Sequence, residues 1–354
     1  MMIQGEGNLL KADVDALVNT VNTVGVMGKG VALEFKLAFP DMYRQYKKAC
    51  KNGEVNPGKM YLYHVNGLTK PSLIINFPTK RHWKEKSRLS DIEDGLKDLV
   101  RVVKELKIKS IALPPLGCGL GGLNWKDVYP RIESAFNEIP EVTVIVFPPL
   151  KTFTPIDPVI RTSKPKLTWI KSNILRIFER YCLFDYSLKN IEAQKLLYFF
   201  QESGENLGLT FVKGLYGPYS NKIGYLLTDI EGHYTTGHST GSNHPNGIIR
   251  ILPKVHDEIT EFIEKNRMFH PDSEDRINRL YNLIRGFETP YGLELLATVH
   301  WICTKETPAP MELHDVINAV QNWNERKRVN MKPKHIEVAW KRLIDEGWIL
   351  INDN

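Results

Sequence analysis

The fold is decided by two adjoining stretches, Val14-Asp-Ala-Leu-Val-Asn-Thr-Val-Asn22 and Val24-Gly-Val-Met-Gly-Lys-Gly-Val-Ala32. The first contains a strand-like apolar run at 16–19, and the second places three glycines before a helix-like segment at 32–38. Glycines between a strand and a helix let backbone N–H groups approach a phosphate, and the amino end of a helix favours negative charge. The pattern therefore predicts a strand, a phosphate-binding loop and a helix.

Strands and helices alternate along the chain around this unit. Short apolar runs at 73–77, 110–115 and 142–147 indicate strands, and apolar residues at helical spacing predict helices at 92–106 and 125–139. Such alternation is typical of an α/β fold in which helices flank a mostly parallel mixed sheet.

A second glycine-rich loop, Pro114-Pro-Leu-Gly-Cys-Gly-Leu-Gly-Gly-Leu123, also follows a strand and precedes a helix. By itself, such a loop could serve only to form tight turns. Neither loop ends in Gly-Lys-Ser/Thr, so neither is a P-loop, and the first is not a dinucleotide GxGxxG motif. Two glycine loops at the strand ends of one sheet favour a ligand with two phosphates in the crevice.

Prolines mark the boundary between two domains. Residues 148–166 contain five prolines, which fit neither helix interiors nor central strands. We predict a first domain at 1–150, a Pro-rich linker at 151–166 and a mainly helical second domain at 167–354. Its expected helices lie at 190–205, 292–304, 311–322 and 334–346. A strand-like stretch at 347–351 follows, which is compatible with a winged helix.

Composition narrows the possible functions. The 354 residues carry a net charge of +6, of which +5 lies in residues 1–150, so an anionic partner is permitted. Neither a membrane span nor a signal peptide is expected, and four separated cysteines without CxxC spacing suit a cytoplasmic protein. His233, His238 and His244 match no compact zinc pattern, so neither a metal nor another cofactor is expected.

The first domain resembles the macrodomain family. The resemblance rests on Gly7-Asn-Leu9, Val14–Asn22 and Gly28–Ala32, and it extends over nearly all of residues 1–148. It implies that Asn8 meets adenine in place of the family's aspartate, that Asn22 meets the distal ribose, and that both glycine loops wrap the diphosphate of ADP-ribose. The implied ADP-ribose-binding residues are Asn8, Leu9, Asn22, Gly28, Lys29, Gly30, Val31, Gly117, Cys118, Gly119, Leu120 and Gly121.

A basic stretch, Lys80-Arg-His-Trp-Lys-Glu-Lys-Ser-Arg88, follows the strand at 73–77. A run of charges is more often a solvated loop, but a tryptophan among cations is expected where bases stack on a basic surface. The candidates for DNA contact are Arg81, His82, Trp83 and Lys84. His82 is also a candidate proton carrier, because the ordinary pKa of histidine lies near 6.5.

Two stretches, Asn76–Trp83 and Pro114–Trp125, more closely resemble the antitoxins of the DarG family of DNA ADP-ribosyl glycohydrolases. The resemblance implies an enzyme that releases ADP-ribose from modified thymidine in single-stranded DNA. It also implies that the second domain binds and neutralises a DarT-like toxin, which attaches the ADP-ribose.

The resemblance implies that Lys80 is the main catalytic residue. It could attack C1″ as an amine, or it could stabilise negative charge on the leaving pyrimidine as an ammonium. Lysine-dependent relatives carry an aspartate in the second glycine loop, where this chain has Gly121 and Gly122, which argues against the covalent route. An alternative function is ADP-ribose binding without turnover, with neutralisation of the toxin by protein–protein contact. Hydrolysis of modified protein carboxylates is less favoured, because the basic stretch suits a nucleic-acid backbone.

Overall fold

The chain forms two compact units. A computed structural model describes residues 1–67, 69–149, 159–183, 187–238, 248–307, 309–310 and 312–350. The first unit is built from residues 1–164, and the second begins at Pro165. Half of the expected linker, residues 151–158, lies outside the described residues.

The first unit is an α/β structure, as predicted. Its strands are β1 (Met2–Gln4), β2 (Ala16–Asn22), β3 (Tyr61–His64), β4 (Leu73–Lys80), β5 (Ser110–Leu113) and β6 (Thr143–Val146). Its helices are α1 (Gly30–Ala38), α2 (Pro40–Lys51), α3 (Leu89–Glu105) and α4 (Trp125–Phe136), with a short 3-10 helix at Leu9–Lys11.

The sheet of this unit has six strands within the described residues, in the order β1-β6-β5-β2-β4-β3. All neighbours are parallel except β3, which is antiparallel to β4. β2 and β4 are buried along nearly their whole length, which explains their continuous apolar runs. Because β5, β2 and β4 are adjacent and parallel, their carboxyl ends meet at one edge of the sheet.

The second unit is mainly helical, as predicted. Its helices are α5 (Trp169–Cys182), α6 (Asn190–Glu202), α7 (Asn221–Ile230), α8 (Val255–Asn266), α9 (Ser273–Ile284), α10 (Pro290–Lys305), α11 (Leu313–Gln321), α12 (Glu325–Asn330) and α13 (Pro333–Asp345), with a 3-10 helix at Arg267–Phe269. Its short strands are β7 (Leu188–Lys189), β8 (Val212–Gly214), β9 (Gly217–Tyr219), β10 (Thr235–Thr236) and β11 (Ile248–Ile251).

The prediction of a strand at 347–351 is wrong for residues 347–350. These residues instead form the turn that ends α13, in which Gly347 has a φ of +67°. The N–H groups of Trp348 and Ile349 donate to the Leu343 carbonyl at 2.7 and 3.2 Å, so they close the helix rather than pair with another strand. Ile351 lies outside the described residues.

No helix in the described part of the chain is long and apolar enough to cross a bilayer. This part of the chain also contains no group of three or more His, Cys, Asp or Glu side chains that could hold a metal ion. His238 instead pairs its Nδ1 with Asn190 Oδ1 at 2.8 Å. His244 lies outside the described residues.

Candidate active site

Three strand ends bring together the predicted site residues of the first unit other than Asn8 and Leu9. The first glycine loop follows β2, the second follows β5, and Lys80 is the last residue of β4, which is paired with β2. The register between β2 and β4 shifts at Val21/Asn22, so that Asn22 lies opposite Lys80. Ligands of open α/β sheets bind at such carboxyl ends. Here Lys80 ends the strand that neighbours β2, and the basic stretch continues from it.

Asn22 shapes the first glycine loop. Its Oδ1 accepts the N–H groups of Val24 at 3.1 Å and Val26 at 3.2 Å, and its Nδ2 donates to the Val26 carbonyl at 2.6 Å. The side chain is almost fully buried, with 7% of its surface exposed. The carboxamide is therefore engaged with the loop, and the expected contact between Asn22 and a ribose stays a prediction.

The first glycine loop ends at an open helix terminus. α1 begins at Gly30, which has a φ of +60° and no atom within 4 Å of the place where a Cβ would be. The first turn of α1 contains no acidic residue, so its unpaired N–H groups favour an anion. Lys29 precedes this turn in extended conformation, and burial lowers the pKa of its ammonium. Gly28 and Val31 flank these two residues.

The second glycine loop is closed on itself. Its backbone donates from Cys118 to Pro115 O at 3.1 Å, from Gly122 to Gly119 O at 3.0 Å and from Leu123 to Gly117 O at 3.1 Å. This compact form orients its remaining groups without help from a ligand.

The glycines of this second loop differ in their surroundings. A Cβ on Gly121 would lie 2.2 Å from Gly117 O and from Ser87 Oγ, and one on Gly117 would lie 2.8 Å from Leu123 Cδ1. A Cβ on Gly119 would meet nothing within 4 Å. Packing therefore requires glycine at 121 and a φ of +69° favours glycine at 117, whereas Gly119 borders open space.

Cys118 in the second loop is not an activated nucleophile. Burial raises the pKa of its thiol to about 11, so the thiol is neutral at pH 7. Its Sγ lies 3.4 Å from the Leu116 carbonyl, which is consistent with a packing role.

Lys80 reaches from β4 to the second loop. Its Nζ donates to the carbonyl of Leu120 at 2.5 Å, and the side chain is half-buried. Burial lowers the pKa of the Lys80 ammonium, and no carboxylate within the described residues opposes this shift. Lys80 therefore combines access to solvent with a lowered pKa, and catalytic lysines need both properties.

The segment after Lys80 is partly tied down and partly exposed. Arg81 pairs with Asp91 at 3.0 Å, and its carbonyl accepts from the Thr23 hydroxyl at 2.7 Å. The rings of His82 and Trp83 are 5.4 Å apart, and Lys84 Nζ lies 5.0 Å from the centre of the Trp83 ring. Trp83 is 45% exposed, so this turn presents an aromatic ring and a cation to solvent.

Asn8 and Leu9 lie at the start of the short 3-10 helix. Asn8 caps it by accepting the Leu10 N–H at 2.9 Å, and the Leu9 side chain is buried. The expected role of both residues at adenine stays a prediction.

Sequence reasoning missed Ser87. Its N–H donates to the carbonyl of Gly121 at 3.0 Å, so the basic stretch and Lys80 hold neighbouring carbonyls of the same loop. The Ser87 hydroxyl is buried and has no hydrogen-bond partner within the described residues. A serine in a charged stretch carries no local signal of this role.

The fold and the two loops define the first unit as a macrodomain. A family model described as Macro domain matches residues 18–132, from β2 into α4.

Comparison with whole proteins shows that the similarity extends beyond the macrodomain. A DNA ADP-ribosyl glycohydrolase of Thermus aquaticus is 44% identical over 341 residues, which cover 96% of this chain and 92% of that relative. A DNA ADP-ribosyl transferase-DNA ADP-ribosyl glycohydrolase fusion protein of Thermosipho africanus is 39% identical over 165 residues, 42% of each chain. The solved macrodomain of Mycobacterium tuberculosis DarG is 55% identical and covers 42% of this chain and 99% of that chain, with a TM-score of 0.42. Because the Thermus relative is similar over nearly all of both chains, this chain belongs to the DNA ADP-ribosyl glycohydrolase family and is a hydrolase.

Proposed function

We propose that the chain hydrolyses the N-glycosidic bond between ADP-ribose and thymidine in single-stranded DNA and releases free ADP-ribose. The observation that carries this proposal is the contact between Lys80 Nζ and the Leu120 carbonyl, at the strand ends where the two glycine loops begin. Support for the substrate class comes from the Thermus relative, whose name is DNA ADP-ribosyl glycohydrolase.

The two glycine loops hold the diphosphate in this proposal. The open amino end of α1 offers N–H groups to one phosphate, and the second loop offers backbone groups to the other. Asn8 and Leu9 contact the adenine end, and Asn22 supports the distal ribose through the loop that it shapes. The remaining ligand-binding residues are Gly28, Lys29, Gly30, Val31, Gly117, Cys118, Gly119, Leu120 and Gly121.

Lys80 acts on the leaving base. Hydrolysis breaks the bond between C1″ and the thymine nitrogen, whose electron pair leaves with the base, while water adds its oxygen to C1″ and the base gains a proton. An ammonium beside the base stabilises the negative charge that develops there. The absence of a carboxylate on Gly121 and Gly122 favours this role over covalent attack.

The turn after Lys80 contacts the DNA strand next to the modified nucleotide. Trp83 offers a ring for stacking and Lys84 a charge for phosphate, while Arg81 is engaged with Asp91 and serves mainly to hold the turn. The His82 ring lies beside that of Trp83 and is available as a proton carrier.

The second unit binds a DarT-like toxin, a DNA ADP-ribosyl transferase, and the protein acts in the cytoplasm as its antitoxin. The Thermosipho relative is named as a fusion of a transferase and a glycohydrolase, which supports a functional link between these two activities. The cytoplasm is where such a transferase would meet DNA, and the separated free cysteines suit it.

An oligonucleotide with one ADP-ribosylated thymidine tests the hydrolase. The wild-type chain should reduce the oligonucleotide mass by one ADP-ribose and release an equal amount of free ADP-ribose. Tight binding without any release would instead favour the alternative, an ADP-ribose-binding protein without turnover. The antitoxin role is tested separately with full-length Lys80→Ala, which should still suppress the transferase when added before modification of the DNA.

A further inference from the structure

An aromatic and basic surface borders the second glycine loop and includes the exposed turn after Lys80. Among the described aromatic residues of the first unit, Trp83 and Tyr129 have the largest exposure, 45% and 36%. Trp83 lies on the basic stretch, and Tyr129 lies on α4, which begins just after the second loop. The two rings therefore belong to two segments that adjoin this loop.

Lys86 connects the basic stretch to the loop. A Cβ on Gly122 would lie 3.8 Å from Lys86 Cδ and 4.0 Å from Lys86 Cε, so the lysine side chain runs across this glycine. The neighbouring Ser87 N–H holds the Gly121 carbonyl at 3.0 Å, which fixes the approach of the two segments. Leu120, the partner of Lys80, is only two residues from Gly122.

The start of α4 continues the surface. Asn124 caps the helix by accepting the Lys126 N–H at 3.0 Å, and the Lys126 side chain is exposed. The rings of Trp125 and Tyr129 are 5.4 Å apart, as expected for residues four apart on one helix face. An ion pair of 2.6 Å between Arg131 and Glu93 ties α4 to α3, so this surface is held in place.

The charges of this surface match a polyanion. Lys84, Lys86 and Lys126 are exposed, and the last two have no ion-pair partner within the described residues. Glu85 and Asp127 are exposed carboxylates on the same segments, so the lysines leave an excess of positive charge. Cations alternating with aromatic rings are the usual means of binding single-stranded nucleic acid, because every base offers a face for stacking.

We infer that Trp83, Lys84, Lys86, Trp125, Lys126 and Tyr129, here called the flanking strip, bind the single DNA strand on both sides of the modified nucleotide. The inference rests on the proposed hydrolase, whose catalytic lysine contacts Leu120 in the loop that the strip borders.

The test uses two substrates and one triple variant of the full chain. The substrates are an oligonucleotide with a central ADP-ribosylated thymidine and the ADP-ribosylated thymidine nucleoside alone. The variant combines Lys86→Ala, Lys126→Ala and Tyr129→Ala, and it leaves the partly buried Trp125 in place. Lys109→Ala is the matched control, because this exposed lysine precedes β5, at the opposite end of the strand that leads into the loop.

The triple variant should raise the KM for the oligonucleotide by at least about tenfold, the value of one lost base stack to which the two lost lysine–phosphate contacts add, while kcat stays within about twofold. The slope of log KM against log salt should fall by roughly 1.4, or 0.7 for each lost lysine–phosphate contact. Hydrolysis of the nucleoside should not change, and Lys109→Ala should match the wild type.

An unchanged KM for the oligonucleotide would overturn the flanking strip, as would an equal loss with the nucleoside. If the variant kept its oligonucleotide KM but no longer suppressed the transferase, the surface would bind protein instead, which also contradicts the inference. Failure of the wild-type chain on both substrates would contradict the proposed hydrolase itself, so the two failures are distinguishable.

Discussion

Two lysines with lowered pKa values, one in each unit, have opposite surroundings. Lys80 ends β4, is half-buried and donates to the Leu120 carbonyl of a glycine loop. Lys195 lies in α6 with only 1% of its surface exposed and donates to the Pro218 carbonyl at 2.6 Å. Burial lowers the pKa of Lys195 to about 7, with a further contribution from Lys327.

The surroundings of Lys195 are those of a structural anchor. Nearby, Lys327 donates to Glu294 at 2.7 Å and to Thr298 at 3.0 Å, and Arg326 binds both oxygens of the same glutamate. Pro218 belongs to β9, so Lys195 holds the β8–β9 hairpin on the helices. A lowered pKa therefore does not by itself mark an active site, and access for a ligand separates the two lysines.

The largest loss of turnover is expected from Gly121→Ala, which disturbs the glycine loop whose Leu120 carbonyl binds Lys80. The new Cβ would lie 2.2 Å from Gly117 O, so the loop must shift and Leu120 must move with it. Because a displacement of about 1 Å can cost a hundredfold in rate, turnover should fall at least about hundredfold, and ADP-ribose affinity should fall as well. Isothermal titration and single-turnover assays measure the two effects.

Gly67→Ala is the control for this loop variant, because Gly67 is exposed and has no neighbour within 4 Å of the added carbon. It should behave as the wild type. Wild-type turnover by Gly121→Ala would mean that the loop does not position Lys80.

Lys80→Arg should have the next largest effect, and it separates the two chemical roles of this lysine. Arginine keeps a positive charge but cannot become a neutral amine at ordinary pH. If Lys80 acts as an ammonium, the variant should retain activity about ten- to a hundredfold below the wild type, because only the position of the charge changes.

A complete loss in Lys80→Arg, together with a borohydride-trapped adduct on the wild-type chain seen by mass spectrometry, would establish covalent attack instead. Lys109→Arg provides the matched control, since Lys109 is exposed and lies at the opposite end of the strand that leads into the second glycine loop.

The smallest effect on turnover is expected for Lys195→Met, which should change stability instead. The folded-state pKa of Lys195 is about 7, below the value of about 10.4 expected in the unfolded chain. Between these values the unfolded chain binds more protons, so the free energy of unfolding should rise as pH increases from about 7 to 9.5. Thermal unfolding across this range should show a rise for the wild type and a smaller one for Lys195→Met.

Lys327 has a pKa lowered in the same direction and remains in both proteins, so the difference between them reports Lys195. Equal pH dependence in the two proteins would mean that Lys195 is not buried as a neutral amine.

The sequence predicted what depends on local patterns. The strand, loop and helix from Ala16 to Ala38 follow from apolar runs and glycines that are neighbours in the chain. The position of Lys80 at a strand end was predictable in the same way. The family resemblance added the meaning of these residues, and the comparisons support the family.

Contacts between distant segments could not be predicted. Nothing near Lys80 in the chain indicates Leu120 as its partner, and nothing near Lys195 indicates Pro218 or the pair formed by Lys327 and Glu294. These contacts arise because parallel strands and packed helices bring together residues that lie 23 to 40 positions apart. The end of α13 was misjudged for a related reason, since the apolar run at 348–351 resembles a strand although the N–H groups of Trp348 and Ile349 close a helix.

A single-turnover assay on the ADP-ribosylated oligonucleotide tests the central claim most directly, when wild type, Lys80→Ala and Lys195→Met are compared below the unfolding temperature of each. The account predicts that Lys195→Met releases ADP-ribose at nearly the wild-type rate, whereas Lys80→Ala is slower by about a hundredfold or more while it still binds ADP-ribose. Release by Lys80→Ala at the wild-type rate would contradict the account, because Lys80 would then not be the residue that carries the reaction.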